Sequence, residues 1–327
     1  MQQRTEVGLA LGGGAARGLA HIGVLRELQA AGVIVTHVAG CSFGSIVGAA
    51  YVCGTLDMLE ERVRNLSRAQ LVRYADAAFA GGVLRGDALL DELRCLTRGL
   101  HFEELPVSFA VLATDLETGA PVVLRRGPIA EAVRASISVP GLFAPAVVDG
   151  RALVDGGLVE LVPVSVLREL RPPHVVAVDV SSSCDVWTRA ANRARLCVNG
   201  VRARWRRLGE AGLDRVLVRL PAARTGHGRS GERGWGLVRA VLTAFDITEA
   251  RLQRRAGDTP ADVVIRPDVR RFHGHQFDRA AEIIEAGRVA ARQALPLLAG
   301  PARVPGTVAS PRKLFVPSPT AGGGVRG

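Results

Sequence analysis

Apolar residues follow two alternating patterns over the first fifty residues of the chain. Val7–Leu11 is a short apolar run, which is typical of a buried strand. Apolar residues then recur every three positions from Leu19 to Leu28, which predicts a helix that ends at Gly32. The β-branched run Val33–Val38 predicts a second strand, and a small, helix-compatible run follows it after a sharp turn.

The rest of the chain continues with amphipathic stretches and apolar runs. Helices are predicted over Leu56–Arg68, Leu84–Leu96, Ile129–Ser136 and Phe277–Leu298. Strands are predicted over Phe109–Asp115, Pro121–Leu124 and Val175–Val180. Because strand and helix alternate from the start, the pattern predicts an α/β fold of three layers, in which a mainly parallel sheet lies between helices.

A serine flanked by glycines stands where the second predicted strand ends. The sequence from Gly40 to Gly44 is Gly-x-Ser-x-Gly, with Ser42 at its centre. Strand, tight turn and helix are the context of a nucleophile elbow, which lifts the serine Oγ clear of the backbone at a helix N-terminus. The alternative is a chance match in a chain that contains 38 glycines.

Three consecutive glycines, Gly12, Gly13 and Gly14, connect the first predicted strand to the first helix. A dinucleotide fingerprint fits poorly, because Arg17 stands where the third glycine belongs and Gly18 comes one position late. A phosphate loop would need Gly-Lys-Ser/Thr, which is absent. The third interpretation is an oxyanion hole, because neighbouring parallel strands would bring the glycines and the serine to one edge of the sheet.

An aspartate followed by two glycines, Asp155-Gly156-Gly157, comes after the apolar residues Ala152-Leu153-Val154. A carboxylate at the end of a buried strand is a candidate catalytic base. An ordinary Asp-Gly-Gly turn is the alternative, and the residues of this segment alone favour it.

Composition limits the kind of protein this is. The 327 residues are 48% hydrophobic, which is enough for a folded core and argues against global disorder. The formal net charge is +11 and the basic residues are almost all arginine, so anionic partners are attracted: phospholipid head groups, nucleic acid or acidic proteins. The five cysteines are odd in number and form no Cys-x-x-Cys pair, which is typical of reduced thiols.

The chain shows no signal-peptide pattern at its polar N-terminus, and it has no run of about 20 apolar residues that predicts a membrane span. We therefore expect a cytoplasmic protein that meets membranes only at their surface. We expect one domain over residues 5–299, followed by a disordered tail over 300–327 that is rich in Pro, Gly and Ser.

Arginine and tryptophan concentrate within residues 187–239, inside a predicted basic insert or lid at 185–245. This segment includes a predicted helix, Trp187–Leu208, and contains all three tryptophans. One interpretation is peripheral contact with an anionic membrane, which arginine attracts and tryptophan suits. The other is a solvated helix face in an arginine-biased chain. Nucleic-acid binding is not expected, because no reader motif is present.

The order of these motifs identifies a family. The loop Gly12–Gly18, the elbow Gly40–Gly44 and Asp155–Gly157 together resemble the patatin-like phospholipase family, in its bacterial branch similar to the catalytic domain of neuropathy target esterase. The runs His21–Leu25 and Ser138–Pro145 also look like that family. The resemblance extends from about Val7 to Ala299 and implies a three-layer patatin-like fold.

The resemblance implies a lipid acyl hydrolase with a Ser–Asp dyad. Ser42 would be the nucleophile, Asp155 the base, and Gly12, Gly13 and Gly14 the oxyanion donors. Arg17 would steady the loop or meet a phosphate, while Gly18, Gly40, Gly44, Gly156 and Gly157 would support the motifs. Phe43, where the family often has a small residue, is expected to narrow the acyl entrance. The substrate would be a phospholipid or another acyl-ester lipid, with no metal or organic cofactor.

Other functions remain open at this stage. A Ser-His-Asp triad would need a histidine, and His273 and His275 come late enough in the chain, although their polar surroundings favour a surface loop. A catalytically silent lipid-binding protein and an acyltransferase are the alternatives to hydrolysis.

Overall fold

The computed structural model describes residues 5–66, 84–181 and 260–298, and these contain one eight-stranded sheet. Its strands are β1 (Glu6–Leu11), β2 (Ile34–Cys41), β3 (Ser108–Asp115), β4 (Pro121–Leu124), β5 (Ala146–Val148), β6 (Arg151–Asp155), β7 (Val175–Val178) and β8 (Val263–Ile265). The order across the sheet is β5-β6-β3-β2-β1-β7-β8, and β4 also pairs with β3. Strands β3, β2, β1, β7 and β8 run parallel, whereas β4, β5 and β6 join in antiparallel pairs at one side.

Helices cover both faces of this sheet. They are α1 (Ala20–Ala30), α2 (Phe43–Val52), α3 (Leu56–Arg64), α4 (Asp87–Leu96), α5 (Ile129–Ser136), α6 (Val164–Glu169) and α7 (Ala280–Leu298). Residues of β1 alternate between the two sides, because successive side chains of a strand point to opposite faces. Leu9 and Leu11 join a large core with α1, α2 and α7, whereas Ala10 joins a smaller core with α6. The predicted three-layer α/β fold with a mainly parallel sheet is confirmed.

The smaller core is lined by alanines from four neighbouring strands: Ala10, Ala39, Ala110 and Ala177. All four are at most 3% exposed, and Leu167 of α6 packs in the same cluster. Because alanine side chains are short, a helix of only six residues can approach this face closely and still cover it.

Helices α1 and α7 cross at two glycines. A methyl group added at Gly23 would collide with the Ile284 carbonyl, and one added at Gly287 would collide with the Ala20 carbonyl. The two helices therefore approach each other backbone to backbone, and Ile284 is fully buried at the crossing.

Several element boundaries differ from the prediction. Helix α4 begins at Asp87 rather than Leu84, because Leu84 pairs with Phe143 in an isolated bridge and Gly86 has a φ of 80°. Residues 277–279 form a 3-10 turn before α7. Helix α6 was not predicted, since six residues are too few for a clear periodic pattern.

Parts of the prediction fall outside the described residues. These are the basic insert at 185–245, the helix Trp187–Leu208 and the tail at 300–327. Over the residues that the structure does describe, none of the helices combines the length and the apolar character needed to cross a bilayer.

Candidate active site

Ser42 occupies a sharp turn between β2 and α2. Its backbone has φ 50° and ψ −129°, a region that residues with a side chain rarely adopt. The flanking glycines make room for the turn: a Cβ at Gly40 would lie 2.6 Å from the Ser45 Cα, and one at Gly44 would collide with the Leu11 carbonyl. The turn therefore has the shape of a nucleophile elbow.

The Ser42 side chain contacts a carboxylate from a distant part of the chain. Its Oγ donates a 2.7 Å hydrogen bond to Asp155 Oδ2. The other carboxylate oxygen, Oδ1, accepts the Gly157 N–H at 2.8 Å. Asp155 is fully buried and Ser42 is 7% exposed, so the pair can be reached only from the serine side.

Strand β3 brings the serine and the aspartate together. Cys41, the last residue of β2, pairs with Leu112, and Asp155, the last residue of β6, pairs with the next residue, Ala113. Gly156 permits a close approach here, because a Cβ at this position would collide with the Leu112 carbonyl. The two catalytic candidates are therefore placed by backbone pairing to consecutive residues of one strand.

Burial changes the acidity of Asp155. Loss of hydration raises the pKa of its carboxyl group from 3.8 to about 7, against the opposing effect of the hydrogen bonds from Gly157 and Ser42. A carboxylate with a pKa near neutrality is a much stronger base than an exposed aspartate. The environment of Asp155 thus compensates in part for the weakness of a carboxylate as a base for a serine hydroxyl.

The glycine loop lies at the same edge of the sheet as Ser42. Leu11, at the end of β1, pairs with Gly40 of β2. The Gly12 N–H donates to the Val178 carbonyl at 3.1 Å, and the Gly13 N–H donates to the Leu161 carbonyl at 2.9 Å. These two N–H groups are therefore committed to the fold.

Gly14 differs from the two glycines before it. Within the described ranges, its N–H donates to no other residue. The chain then enters a 3-10 helix, Ala15–Leu19, whose first residue, Ala15, has a φ of 48°. Of the three glycines predicted to donate to an oxyanion, Gly14 is the one whose N–H has no carbonyl partner among residues 5–66, 84–181 and 260–298.

Arg17 and Gly18 pack beneath the loop. The Arg17 N–H donates to the Gly14 carbonyl at 3.0 Å, and the Arg17 side chain is only 3% exposed. A Cβ at Gly18 would lie 2.7 Å from Cδ1 of Phe43, whose ring also packs 5.7 Å from that of Phe277. The Phe43 ring is partly buried and packs against the large core, and the expected narrowing of an acyl entrance stays a prediction.

His21 holds the loop from below. It is fully buried, and its Nε2 lies 2.7 Å from the Gly12 carbonyl oxygen. Because a carbonyl oxygen can only accept, Nε2 carries the proton. Burial lowers the pKa of His21 from 6.5 to about 4, so the ring is neutral at physiological pH. The sequence analysis named His21 only as part of the run His21–Leu25 that resembles the family, and it did not predict this contact.

Buried hydroxyl groups that the sequence analysis missed hold the backbone of both candidates. Ser45 Oγ donates to the Ser42 carbonyl at 2.6 Å, and Thr114 Oγ1 donates to the Asp155 carbonyl at 2.9 Å. Ser136 Oγ accepts the Ser42 N–H at 2.8 Å. Ser45 and Thr114 show in the sequence only as small polar residues within apolar elements, and Ser136 only as the polar end of an amphipathic helix.

The late histidines lie beside the loop rather than against the serine. His273 and His275 stack with ring centroids 5.5 Å apart, and Gly274 between them accepts the Ala16 N–H at 3.0 Å. Ser42 Oγ donates its hydrogen bond to Asp155. In residues 5–66, 84–181 and 260–298, no cluster of three or more His, Cys, Asp or Glu side chains is arranged to hold a metal ion.

Residues 9–168 match the family model described as patatin-like phospholipase. An uncharacterized NTE family protein of Mycobacterium tuberculosis is 30% identical over 334 residues, covering 89% of this chain and 91% of that protein. Lysophospholipase NTE1 of Pyricularia oryzae is 28% identical over 298 residues, which are 86% of this chain and 18% of that protein.

Among solved structures, VipD from Legionella pneumophila is similar with a TM-score of 0.49 and 16% identity, over 90% of this chain and 66% of VipD. The sequence relatives decide the family, because the match to the mycobacterial protein extends over most of both chains. This chain belongs to the patatin-like phospholipase family and, within it, to the NTE type.

Proposed function

We propose that this protein is a lipid acyl hydrolase that cleaves carboxylic esters through an acyl-serine intermediate on Ser42. The hydrogen bond from Ser42 Oγ to the buried Asp155 carboxylate carries this proposal, because it joins a nucleophile to a base at 2.7 Å. The names of the family model and of the Pyricularia relative support a lipid ester as the substrate.

In the acylation step, Ser42 Oγ attacks the ester carbonyl carbon while its proton passes to Asp155 Oδ2. The tetrahedral intermediate carries the negative charge on the former carbonyl oxygen. When it collapses, the bond to the alcohol oxygen breaks, and Asp155 returns its proton to that oxygen as the alcohol leaves. The product is an ester between the acyl group and Ser42.

Water completes the reaction in the deacylation step. Asp155 takes a proton from the water molecule as the water oxygen attacks the acyl-serine carbonyl carbon. The second tetrahedral intermediate then releases Ser42, which recovers the proton from Asp155, and the free carboxylic acid departs. Each proton transfer uses the same carboxylate oxygen, whose pKa near 7 suits it to work in both directions.

We assign the oxyanion donors to the N–H groups of Gly14 and Phe43. The Gly14 N–H is uncommitted within the described ranges, whereas those of Gly12 and Gly13 bind carbonyls. Phe43 is the first residue of α2, and the first N–H groups of a helix have no partner within it. Gly12 and Gly13 then shape the loop, and the burial of Arg17 supports the loop-steadying role for that residue.

The test is labelling by a fluorophosphonate probe, together with hydrolysis of p-nitrophenyl butyrate and of a lysophospholipid. Wild-type protein is expected to label and turn over, and Ser42→Ala to lose both activities. Thr97→Val is the matched control, since it removes another fully buried hydroxyl that binds the Leu93 carbonyl away from the site. Folded wild-type protein that neither labels nor hydrolyses either ester would overturn the proposal, and labelling without release of acid would favour transfer to another acceptor.

The predicted membrane contact through residues 187–239 lies outside the described residues and stays a prediction. Sedimentation with vesicles tests it directly. Binding to vesicles that contain anionic lipid, weakened by salt and absent with neutral vesicles, is the expected result.

A further inference from the structure

Ser136 makes two hydrogen bonds at the centre of the site. It is the last residue of α5 and is fully buried. Its Oγ accepts the N–H of Ser42 at 2.8 Å and donates to the Leu112 carbonyl at 2.6 Å. One hydroxyl group therefore connects the backbone of the nucleophile to strand β3.

The Leu112 carbonyl also contacts the backbone next to Asp155. Gly156, which follows Asp155, packs so closely on this carbonyl that no side chain fits there. Asp155 itself pairs with the next residue of β3, Ala113. The Ser136 hydroxyl thus links the backbone of Ser42 to the Leu112 carbonyl, and Gly156, the residue after Asp155, packs on the same carbonyl.

A second connection runs from the same segment to Asp155. The Asp155 N–H donates to the Ser138 carbonyl at 3.1 Å. Ser138 is held in turn by Arg134, whose Nη1 donates to Ser138 Oγ at 2.6 Å and whose Nη2 donates to the Arg85 carbonyl at 2.7 Å. Residues 136–138 therefore lie between Ser42 and Asp155 and form a hydrogen bond with the backbone N–H of each.

The bond to Ser136 also fixes an unusual backbone conformation. Ser42 has a φ of 50°, and a strained residue keeps its conformation only while its surroundings hold it. Because the Ser42 N–H is committed to Ser136, it is not available to an oxyanion.

We propose that Ser136 is a positioning residue that orients the Ser42 hydroxyl toward Asp155; this inference rests on the proposed function. Without its hydroxyl, the Ser42 N–H and the Leu112 carbonyl lose a shared partner in a fully buried place. The elbow then relaxes, and Oγ leaves the line between Asp155 and the ester carbonyl. The chemical step slows, while binding of the acyl group is unchanged.

The test measures kcat and KM for p-nitrophenyl butyrate, the rate of fluorophosphonate labelling and Tm in Ser136→Ala. We expect kcat and the labelling rate to fall by about 10- to 100-fold, as for a small misplacement of a reacting group, with KM within about twofold of wild type. Ser136→Thr, which keeps the hydroxyl, is expected to recover most of the labelling rate. Thr97→Val serves as the control for the loss of a buried hydroxyl elsewhere.

Ser136→Cys covers the case in which the alanine variant does not fold, because it replaces only the oxygen with a weaker acceptor. Wild-type labelling in a folded Ser136→Ala or Ser136→Cys variant would overturn the inference. The same loss of kcat in Thr97→Val would also overturn it, as would unfolding of both the alanine and the cysteine variants, because each outcome indicates a structural role. Failure of the proposed function is a different result, because folded wild-type protein itself would then neither label nor hydrolyse the ester.

Discussion

Ser42 and Asp155 are 113 residues apart in the chain, yet their side chains meet at 2.7 Å. They meet because the strands before them pair with consecutive residues of β3, Leu112 and Ala113. The geometry of the pair is therefore set by sheet hydrogen bonds rather than by flexible side chains. A site built in this way is held rigidly before substrate arrives, as orientation of reacting groups requires.

Asp155→Asn is expected to lower the turnover of p-nitrophenyl butyrate by about 100- to 10,000-fold, which is the usual contribution of a general base. Asparagine keeps an oxygen to accept the Gly157 N–H, so the fold is preserved. Asp115→Asn is the matched control, because Asp115 is another buried aspartate whose carboxylate caps a turn at Glu117 and Thr118. Equal losses in the two variants would contradict the role assigned to Asp155.

The rate of ester hydrolysis is expected to depend on pH with an apparent pKa near 7. Below this pH Asp155 is protonated and cannot accept the proton of Ser42, so kcat/KM should fall about tenfold for each pH unit. Above it the rate should level off. Steady-state rates from pH 5 to pH 9 measure this dependence, and a rate that stays constant down to pH 5 would show that Asp155 retains an ordinary acidity.

Stability should also depend on Asp155. Its pKa is raised on folding from 3.8 to about 7, so its contribution to stability is full below pH 3.8 and is lost as pH rises through 7. Asp155→Asn should therefore unfold at higher urea concentration than wild type at pH 8, and the difference should shrink as the pH approaches 4. Urea titrations at pH 4.5, 6 and 8 test this, and a constant difference would contradict it.

His21 has the opposite effect over nearly the same pH range. Its pKa falls on folding from 6.5 to about 4, so its contribution is full above pH 6.5 and is lost as pH falls through 4. In wild type the two groups offset each other. In Asp155→Asn, His21 acts alone, and the free energy of unfolding should fall by about 1.4 kcal/mol per pH unit between pH 6.5 and pH 4 relative to wild type. His21→Gln in the same background should remove that slope.

Gly23→Ala is expected to destabilise the protein, although alanine is the better helix former. The added methyl group would collide with the Ile284 carbonyl where α1 crosses α7, and overpacking of this kind typically costs about 1–3 kcal/mol. Gly48→Ala is the control in α2, because its nearest neighbour is a side-chain atom of Phe109 at 3.0 Å. The midpoints of urea unfolding compare the two, and a more stable Gly23→Ala variant would show that the helices can separate at no cost.

Local sequence patterns were enough to predict the first part of the fold. Strand β1, the glycine loop, α1, β2 and the elbow follow one another within fifty residues, and each shows its own periodicity or turn residues. Helix α5, Ile129–Ser136, also agrees with its predicted bounds. Patterns of this kind fail for α6, which is too short, and for the start of α4, which a bridge from Leu84 to Phe143 decides.

The finer structure of the site depends on contacts that no local pattern reveals. Whether the Gly12 and Gly13 N–H groups are available depends on the carbonyls of Val178 and Leu161, which lie 166 and 148 residues further along the chain. The partner of the Ser42 N–H is likewise Ser136, which the sequence shows only as the polar end of a helix. The motifs could name the candidate nucleophile and the candidate base, but only the fold shows that the Gly12 and Gly13 N–H groups already bind carbonyls.

The pairing of β3 with both β2 and β6 has a consequence for how the protein reaches its native state. Contacts between residues so far apart in sequence are slow to form, because the entropy cost of closing the intervening loop must be overcome. Reactivity of Ser42 toward a phosphonate would therefore act as a clock in refolding experiments. It would start only when β6 has paired with β3 and brought Asp155 to Ser42, so it would report assembly of the site rather than the first collapse of the chain.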